Sequence, residues 1–150
     1  MLFRSHLILA KRKCWDVRFA LSGHYSINAE IVEMLLADEN EYVTCKVSDK
    51  IKLLAPAVID ALHDDPRSYV RIEVAHLTSN ENILRKLLED TDDDTFYLAF
   101  INCATSLDDL EAHLPRIRST TVPGNWYVEH QLKRLEQYHR NLLEKYLLNG

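Results

Sequence analysis

Glycine and proline are scarce in this chain, three and four among 150 residues, which excludes a loop-rich, collagen-like or low-complexity polypeptide. So few glycines also leave little backbone freedom for cradling phosphate, and no GxSxG, P-loop or dinucleotide fingerprint occurs. Three cysteines, Cys14, Cys45 and Cys103, are too dispersed for a disulfide framework or a zinc ribbon. Each lies in an apolar segment, where a free thiol is expected to pack as a small core residue. The early apolar run Leu7-Ile8-Leu9-Ala10 is too short for a signal peptide, and no stretch suits a membrane span. The expectation is a mature, cytoplasmic chain in a reducing compartment.

What the chain has is repetition. Val32, Val58, Leu84 and Leu110 are spaced 26 residues apart, as are Leu36, Leu62, Leu88 and Leu114, and Asp38, Asp64 and Asp90 keep the same step. A fixed period of this size marks one supersecondary unit copied several times, each burying its apolar face against its neighbours. The segment from Ser26 to Asp38 matches the one from Thr78 to Asp90. In both, apolar residues (Ile31, Val32, Leu35, Leu36; Ile83, Leu84, Leu87, Leu88) form one stripe of a helix. The small polar residues in front, Ser26 to Asn28 and Thr78 to Asn80, supply helix N-caps. A second helix follows each first one, marked by Val17-Arg18, Val43-Thr44, Val70-Arg71 and Phe96-Tyr97. The step from Val43 to Val70 is 27 residues, a slip that a loop absorbs.

The string from His76 to Ser106, HLTSNENILRKLLEDTDDDTFYLAFINCATS, resembles the leucine-rich repeat variant, a relative of HEAT repeats. The matching features are the Asp closing each first helix, the hydrophobic-Arg start at Val17-Arg18 and Val70-Arg71, and the small residues Ser22, Ser48 and Ala75. Phe96-Tyr97 and Ile101 depart from that pattern. The resemblance implies an all-α, right-handed α-solenoid. Some such proteins carry an N-terminal iron-sulfur cluster held by cysteines. Only Cys14 stands in that region here, so no cofactor is carried over.

After Leu114 the pattern ends at Pro115 and at Val122-Pro123-Gly124-Asn125. From Trp126 to Leu148 a glycine- and proline-free stretch places Val128, Leu132, Leu135, His139, Leu142 and Tyr146 on one face. The organisation expected is one helical-repeat domain over 1–150, with about four short repeats across roughly 10–114. A long C-terminal helix, about 123–148, caps the stack as solenoids require, or serves as a dimerising seam.

Charge is divided unevenly: residues 1–25 carry +4, residues 26–113 carry −12 and residues 114–150 carry +3, for −5 in all. The acids gather where a first helix hands over to a second, at Asp38-Glu39-Asn40-Glu41, at Asp64-Asp65 and at Asp90 with Asp92-Asp93-Asp94. Stacking would align these turns into one acidic edge. Tyr42, Tyr69 and Tyr97 lie beside them, and aromatic rings next to carboxylates suit Arg and Lys side chains. Asp is also a favoured turn and cap residue, which repetition multiplies.

The function expected is non-enzymatic. Asp64, Asp65, Tyr69, Asp92, Asp93, Asp94 and Tyr97 dock a basic protein partner, as an inhibitor or immunity-type protein would, and the chain is a monomer or weak homodimer. The negative field weighs against nucleic acid. The alternatives are a catalytic or nucleic-acid-processing solenoid, for which Arg18, Lys46, Arg71 and Arg85 would form a sparse basic stripe, and a homo-oligomeric structural protein. The run from Asp90 opens like a calcium loop, but Thr95 and Ile101 stand where its glycine and bidentate glutamate belong. Seven histidines form no HExxH and no i, i+4 pair, and His24 and His76 are read as helix-end residues. No metal, cofactor or membrane is expected.

Overall fold

The computed structural model describes residues 2–103 continuously and, beyond them, scattered helical positions between 112 and 144. Leu110, Leu114 and most of the C-terminal helix expected from about 123 to 148 lie outside the described residues. The chain divides into two compact units, Met1–Cys103 and Ala104–Gly150. Every regular element among the described residues is helical, and no described helix is long and apolar enough to cross a membrane.

The first unit is a series of helix pairs. First helices are α1 (Leu2–Ala10), α3 (Ala29–Leu36), α5 (Pro56–Ala61) and α7 (Glu81–Leu87); second helices are α2 (Trp15–Ser22), α4 (Glu41–Ser48), α6 (Ser68–Leu77) and α8 (Asp93–Asn102). The expected caps form at Asn28, which accepts from the Ile31 N–H, and at Asn80, which accepts from the Asn82 N–H; Asn40 also caps, accepting from the Tyr42 and Val43 N–H groups, as does Asp92 from the Thr95 N–H. Each satisfies an orphan donor of a first turn. The second helices touch in succession, α2 on α4, α4 on α6 and α6 on α8, while α3 packs on α4 and α7 on α8.

Ile31, Val32, Leu35, Val43, Val47, Val70, Val74, Phe96 and Phe100 fill the core between the layers. The expected columns hold at Val32 and Leu36 and again at Leu84 and Leu88, all buried. In the third pair Val58 and Leu62 are only half-buried. There Pro56 starts a short helix at its first turn, and the preceding 3-10 turn (Ile51–Leu53) sends Ile51 and Leu54 into the core instead.

This third pair also holds the one-residue slip. Asp38, Asp65 and Asp90 each accept the backbone N–H two residues on, from Asn40, Arg67 and Asp92, at 2.9, 2.9 and 2.8 Å. Asp65, not Asp64, is therefore the structural equivalent of Asp38 and Asp90, a correction of the 26-residue column. Chain periodicity alone cannot locate an insertion inside a loop.

Candidate functional site

The turns joining first to second helices are tied into one edge by arginines. Arg18 on α2 donates through Nε and Nη2 to both carboxylate oxygens of Asp38, at 2.6 and 2.9 Å. Its Nη1 donates to the carbonyls of Arg12 and Lys13, at 2.6 and 3.0 Å. Arg71 on α6 repeats the arrangement: both Asp90 oxygens at 2.7 and 3.0 Å, then the carbonyls of Asp65 and Pro66 at 2.8 and 3.2 Å. Each guanidinium fork thus clamps its own turn and the aspartate of the next, the bidentate geometry for which Arg is suited.

The second pair lacks this arginine, because Thr44 occupies the position of Arg18 and Arg71. Arg67 supplies the charge from within the turn. It donates to both Asp65 oxygens at 2.8 Å each and to the Leu36 carbonyl at 2.8 Å. Its guanidinium carbon lies 5.9 Å from the centre of the Tyr69 ring, within cation–π range. The Tyr69 hydroxyl in turn shares a hydrogen bond of 2.8 Å with Thr44 Oγ1.

These pairs shift the acids they engage. The Arg67 hydrogen bonds hold Asp65 below the usual carboxylate range despite partial burial. At Asp38, burial opposes ionisation most, yet the Arg18 hydrogen bonds and the Asn40 N–H together outweigh it and leave its pKa lowered. Glu73 moves the other way, because partial burial on α6 raises its pKa.

The expected docking residues therefore divide in two. Asp65 is only 10% exposed and engaged by Arg67, Asp92 caps α8 and also accepts from Thr95 Oγ1 at 2.8 Å, and Tyr69 is spanned by Arg67 and Thr44. Asp64, Asp93 and Asp94 are exposed, and Tyr97 is half-buried on α8. Glu41 adds an outward acid to the same edge, and Glu39, with its side chain 90% exposed, lies 3.7 Å from Arg18 Nη2.

The candidate basic stripe does not stand free. Arg18 and Arg71 are clamps, Arg85 pairs with Glu81 at 2.8 Å, and Lys46 lies against Gly23, where an added Cβ would come within 3.3 Å of its Cε. Asp90 and Asp92, the opening acids of the calcium-like run, are spent on Arg71 and Thr95. His24 does not bind helix carbonyls through its ring. Its Nδ1 faces the Ser26 hydroxyl at 2.9 Å, and its ring is 5.1 Å from that of buried His6. Cys103 is buried as expected, whereas Cys14 and Cys45 are exposed. Cys14 sits in a turn and Cys45 on the outward side of α4, at the position that Phe19 holds on α2.

Beside this edge is an exposed aromatic cluster. Trp15 and Phe19 lie one turn apart on α2 with ring centres 6.3 Å apart, and Tyr42 at the start of α4 brings its ring to 5.9 Å from Trp15. They are 43%, 38% and 68% exposed. Of the three rings, Tyr42 is among the tyrosines that the sequence places beside the acidic turns. An open cleft of about 630 Å³ adjoins the edge, lined by Lys11, Arg12, Lys13 and Glu39 around the Arg18–Asp38 clamp. No family model, curated protein or solved structure matches this chain.

Proposed function

We propose that the chain is a non-enzymatic protein-binding module that docks a basic segment of a partner protein. Its helix pairs build a right-handed α-solenoid like those of leucine-rich repeat variant and HEAT-like proteins. The succession of second-helix contacts and the Arg18 clamp repeated by Arg71 support that architecture. The observation that carries the binding reading is the residue of charge left once the clamps are counted. Asp38, Asp65 and Asp90 are neutralised in place, while Glu41, Asp64 and Asp94 are exposed along the same edge, next to exposed Trp15 and Tyr42. An acidic field of this kind accelerates encounter with a cationic partner, and aromatic anchors supply the contact energy that surface charges alone do not. Cytoplasmic residence belongs to the same reading, since the exposed thiols of Cys14 and Cys45 suit a reducing compartment.

The test is anisotropy of fluorescein-labelled hexa-arginine and hexa-glutamate peptides titrated with the full chain at low and moderate salt. The expected result is saturable binding of the basic peptide alone, weakened by salt. It should also weaken in a variant carrying Glu39→Gln, Glu41→Gln, Asp64→Asn, Asp93→Asn and Asp94→Asn. Equal binding by the variant, or none by the wild type, overturns the reading.

A further inference from the structure

Tyr42 and Tyr69 occupy the same position of successive pairs. Each stands two residues after the N-cap of a second helix, Asn40 for α4 and Arg67 for α6. Each stands four residues after an aspartate, Asp38 or Asp65, that accepts the N-cap N–H. Around Tyr69 the set is complete: a carboxylate, an arginine held bidentately by it, and a ring beneath the guanidinium. Around Tyr42 the carboxylate and ring are present, but Asn40 stands where Arg67 does.

The difference has a cause within the fold. Asp38 receives its arginine from the preceding second helix, through Arg18, whereas Thr44 denies Asp65 the equivalent. Position 67 must therefore carry the cation, and position 40 is released to be asparagine and cap α4. The consequence is a tyrosine ring 68% exposed, with a tryptophan 5.9 Å away. No cation lies over either ring among the described residues. Exposed Glu41 follows Asn40, while Glu39 before it lies 3.7 Å from Arg18 Nη2. Lys46, one turn after Tyr42, is directed to Gly23 and does not fill the place.

We infer that Trp15 and Tyr42, with Glu41, form the anchor subsite for an arginine side chain of the partner, reproducing between proteins the arrangement that Arg67 makes with Asp65 and Tyr69 within this one. The inference rests on the docking reading above and names its anchor. Guanidinium is favoured over ammonium because it stacks on a ring while its edge pairs with a carboxylate. The rest of the basic segment runs from this anchor toward Asp64 and Asp94, away from Lys11, Arg12 and Lys13, whose charge repels it.

The test uses the full chain with Trp126→Phe, so that Trp15 is the sole tryptophan reporter, titrated with hexa-arginine and hexa-lysine; labelled-peptide anisotropy on the native chain runs in parallel. Saturable quenching of Trp15 by hexa-arginine is expected, with hexa-lysine roughly 3- to 10-fold weaker. Asn40→Arg places an arginine of the chain's own over Tyr42 and should abolish the quenching with unchanged helical circular dichroism. Asn40→Ala, which loses the cap but adds no cation, should preserve it. Tyr42→Leu alters no charge and should weaken hexa-arginine binding by a similar 3- to 10-fold. Undiminished binding and quenching in both Asn40→Arg and Tyr42→Leu overturns the inference. If anisotropy then still depends on the acids, the docking reading survives without this anchor; if no form binds hexa-arginine, both fall.

Discussion

The turn leading into α4 and the turn leading into α6 share one design and solve it differently. In the first, the arginine for Asp38 arrives from another helix and leaves Tyr42 exposed; in the second, Arg67 rises from the turn itself and covers Tyr69. A single residue upstream, Thr44 where its counterparts are Arg18 and Arg71, determines which solution is used. A structural substitution in one helix pair is thereby coupled to the exposure of an aromatic ring in another. One pair spends both its aspartate and its aromatic ring on cohesion, while its neighbour has its aspartate clamped and leaves the ring facing solvent.

The comparison depends first on both turns resting on the same core. Leu84→Ala, in a buried column shared with Val32, is expected to cost about 2 to 5 kcal/mol in denaturant unfolding. A cost well under 1 kcal/mol would mean that the columns are not equivalent. The clamp is the next test. Arg71→Ala removes the bidentate partner of Asp90, which keeps the Asp92 N–H, and frees two carbonyls at a partly open rim, and should cost about 2 kcal/mol. The substitution that exchanges one solution for the other is Thr44→Arg. It should install the missing clamp on Asp65, so that Arg67→Ala costs about 1 kcal/mol less in the Thr44→Arg background than in the wild type. Additive effects would show that Arg67 does not stand in for a residue at position 44.

The smallest effect is the acid response. Asp38 and Asp65 have folded-state pKa values below their unfolded ones, so the stability they contribute is present above about pH 4 and lost as pH falls below it. Glu73, whose folded pKa is raised, acts in the opposite sense: its destabilising charge is relieved as pH falls. Arg67→Ala should flatten the acid loss at Asp65 while leaving that of Asp38. An unchanged acid profile in this variant would remove Arg67 as the cause of the Asp65 shift.

Much of the helical framework is readable from residue spacing. The apolar stripes of Ile31 to Leu36 and Ile83 to Leu88 and the capping residues Asn28 and Asn80 are local properties that periodicity and cap chemistry report directly. Val17-Arg18 and Val70-Arg71 stand out as a repeated signature, but only the folded chain reveals the aspartates and carbonyls they grip, which lie outside the helix that bears them. The equivalence of Asp65 with Asp38 is hidden by the slip in the third pair. The division of acids between clamped and outward-facing ones is hidden for the same reason, since adjacent Asp64 and Asp65 differ only in which of them meets Arg67. The exposure of Cys45 escapes a composition rule because it lies on the outward side of a helix whose other side is core.

The most direct test of the central claim is an NMR titration of the 15N-labelled full chain with hexa-arginine, following the Trp15 indole N–H and the amides from Glu39 to Val43. The account predicts that these resonances shift together and saturably, while the amides around Arg18 and Arg71, whose hydrogen bonds are already satisfied, stay in place. Shifts confined to the turns at Asp64 and Asp94, with Trp15 and Tyr42 unmoved, would contradict it.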